Sequence, residues 1–145
     1  MDKIVEREID GTLYKARFRG MAYAFTLRDL IRGGISESRL TDILFTEILA
    51  TDGIDKDDFP DFEALDRVRA FLLNTAMGNI EPHISKTKLK KQVNDEWACY
   101  RLVVNDISPI DYNIVFNQLT PIEIEKLNIA LDRVYKEIKR QSKKK

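Results

Sequence analysis

The densest group of residues that could do chemistry is a run of aspartates between 51 and 60, which reads TDGIDKDDFP. Closely spaced carboxylates suit Ca²⁺, and an EF-hand loop places oxygen ligands at positions 1, 3 and 5 with glycine at position 6. Here Gly53 lies at the wrong position, and the apolar residues Ile54 and Phe59 interrupt the run. We therefore interpret this segment as a loop whose aspartates cap a helix, and we predict no metal site.

Residues that could act as a nucleophile, a base or a metal ligand lie singly along the chain. Ser85 and Lys88 have the S-x-x-K spacing of some serine acyltransferases, but the S-D-N and K-T-G motifs are missing. His83 is the only histidine and has no second histidine with which to share a metal. Cys99 is the only cysteine, which excludes an internal disulfide, and we interpret it as a core residue. The sequence thus predicts no catalytic residue, no metal and no cofactor, and hence a protein that is not an enzyme.

Basic and acidic side chains balance over the whole chain but are unevenly distributed. Residues 1–85 contain 11 Lys and Arg against 16 Asp and Glu, a net charge of −5, whereas residues 86–145 contain 13 against 8, a net charge of +5. A solvated helix face is the usual meaning of such a basic cluster, although it leaves nucleic-acid binding open. The opposite charges of the two halves favour either docking of one half on the other or head-to-tail association of copies. The positive excess comes largely from Lys86, Lys88, Lys90, Lys91, Lys143, Lys144 and Lys145.

The hydropathy of the chain argues against a membrane location. No apolar run approaches the roughly 18–20 residues that a helix needs to cross a bilayer. The first eight residues are too acidic and too interrupted by charge for a signal peptide. We therefore expect a cytoplasmic protein that does not bind membranes.

Residues 4–18 have the pattern of a β-hairpin. Two short runs rich in β-branched and aromatic residues flank Asp10-Gly11, a pair that tolerates the positive φ angles of a type I′ turn. After Gly20 the apolar residues recur at three- and four-residue steps, which is typical of amphipathic helices. Gly33-Gly34 then provides a natural helix stop. This spacing predicts three helices in the first half, over about 21–32, 37–49 and 61–77.

The last third of the chain has two strong helix-start signals. The sequences SPID (108–111) and TPIE (120–123) each combine a capping residue, a proline at the first helical position and an acidic residue. Together with the apolar spacing, they predict helices over 87–105, 109–119 and from 121 to about 139. The spacing of Trp97, Tyr100, Tyr112 and Phe116 favours a core position for them over a role in stacking on nucleic-acid bases. The last helix has one apolar seam, formed by Ile124, Leu127, Leu131, Val134 and Ile138.

These patterns predict an α+β fold, mainly α, in which an N-terminal hairpin is followed by about six helices in a small bundle. An isolated hairpin is marginally stable in water, so it must lie on the helices or pair with another chain. Pro82 and the end of the third helix suggest a hinge between two parts. The predicted organisation is a hairpin and three-helix domain over 1–80, a hinge over 81–86, a helical region over 87–140 and a disordered basic tail over 141–145.

The order of these elements resembles that of the tail assembly chaperones of long-tailed bacteriophages and prophages. The hairpin sequence DGTLYKARF (10–18) is similar to the Asp-Gly-x-x-Tyr-x-x-Arg-Phe hairpin of that family. The acidic stretch IDKDDF (54–59) is similar to the family's segment between helices. The stretch DEWACYR (95–101) and the two capped helices after it look like the helical extension of long family members.

The resemblance implies a non-enzymatic protein of the bacterial cytoplasm. Family members bind the long, helical tape measure protein before the tail tube forms around it, and the extended C-terminal part recruits tail tube subunits. Such a chaperone presents a groove or a helix face to its partner rather than a catalytic pocket. The candidate contact residues lie near the junction of the hairpin and the first helix, where a core position is an equal alternative for each of them: Tyr14, Phe18, Tyr23 and Phe25.

Two other classes of function stay open at this point. A nucleic-acid-associated regulator would use the lysines between 86 and 91 and the lysine tail, and its binding would weaken as the salt concentration rises. A small enzyme could assemble its site from dispersed carboxylates, which sequence motifs do not reveal. Asp29, Asp42 and Glu47 are examples of such carboxylates.

Overall fold

The computed structural model of the protein describes residues 3–79 and 96–143, and in this part of the chain a two-stranded antiparallel hairpin precedes six α-helices. The predicted α+β, mainly α class is confirmed. The predicted hinge over 81–86, His83 and the lysines between 86 and 91 lie outside the described residues. The elements are β1 (Lys3–Ile9), β2 (Thr12–Phe18), α1 (Met21–Arg32), α2 (Glu37–Ile43), α3 (Phe62–Ala76), α4 (Glu96–Val104), α5 (Tyr112–Asn117) and α6 (Pro121–Lys143).

The turn between β1 and β2 forms where the sequence predicts it. Asp10 and Gly11 both have positive φ angles, 52° and 82°, as a type I′ turn requires. A later segment of the chain pairs with the free edge of β2, since the N–H of Ala50 donates to the carbonyl oxygen of Lys15 over 2.8 Å. Arg7 of β1 lies over the ring of Phe71, with its guanidinium carbon 5.0 Å from the ring centroid. The hairpin is therefore anchored on α3 and on the loop after α2.

The first hydrophobic core lies between β2, α3 and the segment formed by α2 and the turn that follows it. The segment predicted as one helix over 37–49 changes type, because α2 continues as a π-helical turn over Leu44–Ile48. The N–H of Leu49 donates to the carbonyl of Leu44 over 2.9 Å, which closes this wider turn and leaves Leu44 and Ile48 fully buried. The buried residues of this core are Tyr14, Ala16, Leu27, Leu40, Leu44, Ile48, Leu49, Val68, Phe71, Leu72 and Ala76.

A second core joins the two halves of the chain. Its residues come from both sides of the predicted boundary, so the helices after 96 pack directly on the end of β2 and on α1. Two glycines permit this approach, since a Cβ on Gly20 would lie 2.8 Å from the Cα of Asn117, and one on Gly78 would lie 2.5 Å from Pro121 Cγ. The buried residues of the second core are Phe18, Met21, Phe25, Cys99, Leu102, Val115, Phe116, Ile124 and Leu131.

The start of α5 differs from the prediction. The helix begins at Tyr112 rather than at 109, and Asp111 rather than Ser108 caps it by accepting a hydrogen bond from the N–H of Asn113 over 2.9 Å. Ser108 is used differently, because its N–H donates to the side-chain oxygen of Asn105 over 2.8 Å. The buried Asn105 side chain thus holds Ser108 in a loop, whereas the sequence predicts Ser108 as the cap of a helix that begins at 109.

The capping signal of α6 is confirmed, and the helix is longer than predicted. The N–H of Thr120 donates to Glu123 Oε1 over 3.0 Å, and the N–H of Glu123 donates to Thr120 Oγ1 over 3.3 Å, which is a capping box. At its other end the helix continues to Lys143, so residues 141–143 of the predicted disordered tail are helical. Lys3 of β1 forms an ion pair with Glu123 over 2.9 Å and links the hairpin to this helix start.

We expect Glu123→Gln to reduce the dependence of stability on pH in the acid range. Partial burial raises the pKa of Glu123, but hydrogen bonds from Lys3 and Thr120 outweigh burial and hold this pKa below its ordinary value. The carboxylate therefore stabilises the fold above the unfolded-state pKa of about 4.3. This contribution is lost as the pH falls through the lower folded-state pKa.

Urea denaturation at several pH values measures this effect. The wild type should be more stable than Glu123→Gln at neutral pH, and the difference should shrink as the pH falls below about 4. Glu137→Gln removes an exposed carboxylate from the same helix and serves as the matched control. A difference between wild type and Glu123→Gln that does not change with pH would contradict the role of this carboxylate.

Candidate partner-binding surface

The four residues that the sequence suggests as partner contacts do not form one surface. Tyr14, Phe18 and Phe25 are all at least nine-tenths buried, Tyr14 in the first core and the two phenylalanines in the second. The reason is that one face of β2 and one face of α1 are both covered, by α3 and by the helices after 96. Partner binding at these positions stays a prediction, and in this conformation a partner could reach only Tyr23 among the four.

Tyr23 is half-buried and bound within the chain. Its hydroxyl donates a hydrogen bond to Glu47 Oε2, and the guanidinium carbon of Arg19 lies 5.3 Å from its ring centroid. Burial, followed by the hydrogen bond to Glu47 and the charge of that carboxylate, raises the pKa of Tyr23 far above its ordinary value. The hydrogen bond from this hydroxyl ties α1 to the π-helical turn after α2.

The carboxylates considered for a dispersed catalytic site pair with different neighbours. Asp29 accepts from Arg28 Nη2 over 3.0 Å, Asp42 forms an ion pair with Lys56, and Glu47 binds Tyr23 as described. Over 3–79 and 96–143, no group of three or more His, Cys, Asp or Glu residues could hold a metal ion. Asp29, Asp42 and Glu47 therefore do not form one cluster.

Asp55 and Asp58 of the acidic loop, and Asp61 directly after it, act as caps, as the sequence predicts for this part of the chain. Asp55 caps a short 3₁₀ turn, Lys56–Asp58, and its N–H donates to Asp58 Oδ2 over 2.9 Å. Asp61 caps α3 by accepting from the N–H of Ala64 over 2.8 Å. These hydrogen bonds explain why acidic residues are concentrated between α2 and α3.

The largest departure from the sequence interpretation is on α4. Trp97 and Val104 are each 62% exposed, and Tyr100 is also exposed, so the core position predicted for Trp97 and Tyr100 is wrong. These three residues follow one another at steps of three and four, so they share one face of the helix. The opposite face is the buried one and contributes Cys99 and Leu102 to the second core.

An exposed tyrosine of α5 extends this apolar face. The ring of Tyr112 stacks on that of Phe116 with centroids 4.3 Å apart, and the ring of Tyr100 lies 4.9 Å from Phe116 and 6.4 Å from Tyr112. Phe116 is buried and holds both tyrosines in place. We call the exposed residues Trp97, Tyr100, Val104 and Tyr112 the aromatic stripe.

Charged side chains beside the aromatic stripe are already paired within the chain. Arg28 forms an ion pair with Glu96 at the start of α4, and its guanidinium carbon lies 4.9 Å from the Phe25 ring centroid. Arg101 donates to Asp132 over 2.5 Å. Because these charges are satisfied internally, the surface that the stripe offers to another molecule is mainly apolar.

A helix that is apolar on both faces is the sequence signal for the aromatic stripe. Residues 98, 99, 102 and 103 already provide one complete apolar face, so 97, 100 and 104 constitute a second one. A helix that is apolar on both faces needs both of them covered. Where the chain itself covers only one face, the other is a candidate surface for a partner. The sequence interpretation counted both faces as core and therefore missed the stripe.

Comparison with known proteins leaves these local features as the observations that bear on function. No protein-family model, characterised protein or solved structure matches the chain. In the part of the chain that the structure describes, no helix is long and apolar enough to cross a membrane. The aromatic stripe and the motif resemblance are thus the two features from which a function can be argued.

Proposed function

We propose that the protein is a non-enzymatic tail assembly chaperone of a long-tailed phage or prophage, which binds the tape measure protein during tail formation. The aromatic stripe is the observation that carries this proposal. Tail tube subunits are the second partner that the resemblance implies, and the stripe lies in the part of the chain that the resemblance assigns to them. We assign the stripe to the tape measure protein instead, because exposed apolar rings on a helix face suit a long helical partner. The hairpin sequence DGTLYKARF and the stretch DEWACYR support the family assignment, and the second of these contains two residues of the stripe.

The physical chemistry of the stripe suits the reversible covering of apolar helices. Trp and Tyr have large apolar rings with few rotatable bonds, so their burial costs little conformational entropy. Truncation of a well-packed aromatic anchor in an interface typically costs about 2–4 kcal/mol of binding free energy. Since the tyrosines of the stripe are held by Phe116, the surface is preorganised for binding, which lowers the entropic cost further.

We expect the variant Trp97→Glu with Val104→Glu to lose the ability to keep the tape measure protein in solution. Both side chains are largely exposed, so the substitutions should leave the thermal unfolding midpoint nearly unchanged while placing charges in the proposed interface. The measurement is co-expression with the tape measure protein of the same genome, followed by pull-down and determination of the soluble fraction. We expect recovery of the partner to fall at least tenfold.

A matched control separates this effect from a general effect of surface charge. Phe62 at the start of α3 is 64% exposed, close to the value for Trp97, but it lies in the other half of the chain. Phe62→Glu should therefore retain partner binding. The proposal fails if the wild type does not keep the tape measure protein in solution, or if the two variants behave alike.

A further inference from the structure

The last helix extends well beyond the hydrophobic cores. With 23 residues and a rise of about 1.5 Å per residue, α6 is roughly 35 Å long. Leu131 is its last buried residue, and every residue from 132 to 143 is exposed. Asp132 and Tyr135 still contact Arg101 of α4, and Val134 lines a groove beside it. The helix beyond Tyr135, about 12 Å in length, therefore projects from the body of the molecule.

The apolar seam of α6 continues beyond Leu131. Ile124, Leu127 and Leu131 pack in the second core, and the same face then presents three further apolar residues to solvent. We call these residues, Val134, Tyr135 and Ile138, the distal seam. One face of α6 is therefore packed in the second core up to Leu131 and exposed beyond it. The distal seam is continuous with this existing helix interface.

An apolar groove opens where the distal seam begins. It has a volume of about 160 Å³ and lies between α6, the end of α4 and the loop before α5. Ile107 and Ile110 of that loop line it together with Leu131 and Val134 of α6. A helix placed along the distal seam could therefore insert one apolar side chain into the groove, as in other helix-in-groove complexes.

The charge of α6 beyond Leu131 favours an acidic occupant. Five basic residues lie between 132 and 143, at 133, 136, 139, 140 and 143, against the two acidic residues Asp132 and Glu137. Asp132 already accepts a hydrogen bond from Arg101, which leaves Glu137 as the other carboxylate in this range. The net positive potential attracts an acidic partner and repels a second distal seam, so pairing of two copies through this face is disfavoured.

We propose that the distal seam and its groove bind one amphipathic helix of a partner protein that carries a net negative charge. The width of the seam supports a helix over a membrane surface, because three apolar side chains within one narrow strip of α6 match the contact of one helix, whereas a membrane-bound helix has a wider apolar face. About three turns of the partner helix would lie along α6. This site is distinct from the aromatic stripe and does not depend on the proposed role in tail assembly.

Two synthetic peptides of about 20 residues test the proposal. Both have leucines along one face at helical spacing. The charged positions outside that face are all glutamate in one, the glutamate peptide, and all lysine in the other. Fluorescence anisotropy with the full-length chain should show at least tenfold tighter binding of the glutamate peptide. Ile138→Glu should weaken this binding at least tenfold, and Lys136→Glu with Arg140→Glu should remove the preference for the glutamate peptide.

Ile129 provides the matched control on the same helix. It is 44% exposed against 51% for Ile138 and lies nine residues away, on the opposite face of α6, so Ile129→Glu should bind like the wild type. Because Ile138 lies beyond the cores, the thermal unfolding midpoint of Ile138→Glu should equal that of the wild type. This comparison confirms that any loss of binding is local.

Four results would overturn the proposal. They are equal affinity for the two peptides, glutamate-peptide binding that does not respond to Ile138→Glu, Ile138-dependent self-association in sedimentation, and Ile138-dependent binding to phosphatidylserine vesicles without binding of the glutamate peptide. The third result would identify a second copy as the occupant, and the fourth a membrane. None of them bears on the tape measure experiment, because that experiment depends on Trp97 and Val104 of α4.

Discussion

Replacement of Phe116 by alanine is expected to lower the free energy of unfolding by about 3–5 kcal/mol, the usual cost of removing a large aromatic side chain from a core. Phe116 is among the largest fully buried side chains of the described residues. Its ring lies 6.2 Å from that of Phe25 on α1 and also contacts Tyr100 and Tyr112. It therefore connects α1, α4 and α5, and a cavity at this position weakens the packing of one half of the chain on the other.

Urea denaturation followed by circular dichroism measures the loss. Since small domains have a total stability of about 5–15 kcal/mol, a loss of this size removes a large fraction of it. Phe62→Ala removes the same side chain from an exposed position and should change the stability by less than about 0.5 kcal/mol. A loss of less than about 1 kcal/mol for Phe116→Ala would mean that the helices after 96 do not pack on α1 as described.

The Phe116→Ala variant also tests the preorganisation of the aromatic stripe. Phe116 supports the rings of both tyrosines in the stripe, so its removal should weaken binding of the tape measure protein even under conditions where the variant remains folded. The effect should be smaller than that of Trp97→Glu with Val104→Glu, because Phe116 acts through its neighbours and does not touch the partner.

The second large effect is expected for Gly20→Ala, with a loss of about 2–5 kcal/mol. Gly20 precedes α1 with φ 100° and ψ 168°, a conformation that is essentially restricted to glycine. An added Cβ would lie 2.8 Å from both the Cα of Asn117 and the carbonyl oxygen of Phe116. These are backbone atoms of α5 and the end of its last turn, which cannot move aside by a change of rotamer, so α1 and α5 would have to separate.

Gly34→Ala is the control for adding a methyl group at a glycine of positive φ where there is room for it. Gly34 has a similar positive φ of 89°, but nothing lies within 4 Å of the position of an added Cβ. This variant should therefore show only the conformational cost, about 1–2 kcal/mol. Thermal or urea unfolding of both variants gives the comparison, and equal losses would indicate that α5 does not approach Gly20 closely.

The elements that could be predicted from the sequence depend on interactions between residues a few positions apart. Asp10-Gly11 adopts the predicted turn, Asp61 caps α3, and Thr120 with Glu123 forms the predicted capping box. Each of these features is a backbone dihedral preference or a hydrogen bond that spans at most three residues. The prediction that Ser108 caps a helix was wrong, because the N–H of Ser108 donates to the side chain of Asn105 instead.

The sequence by itself therefore determined the class of the fold, the hairpin, the order of the helices and the capping of α3 by Asp61. Only the tertiary structure decided which apolar faces are covered. The periodicity of 97, 100 and 104 identifies a helix face but contains no information about what lies opposite it. In the folded chain α1 and α6 cover the other face of α4, so the aromatic stripe remains exposed, while Tyr14, Phe18 and Phe25 become core residues. The physical reason is that burial depends on contacts between residues up to about a hundred positions apart, such as Phe25 with Phe116, whereas helix and turn formation depends on neighbours along the chain.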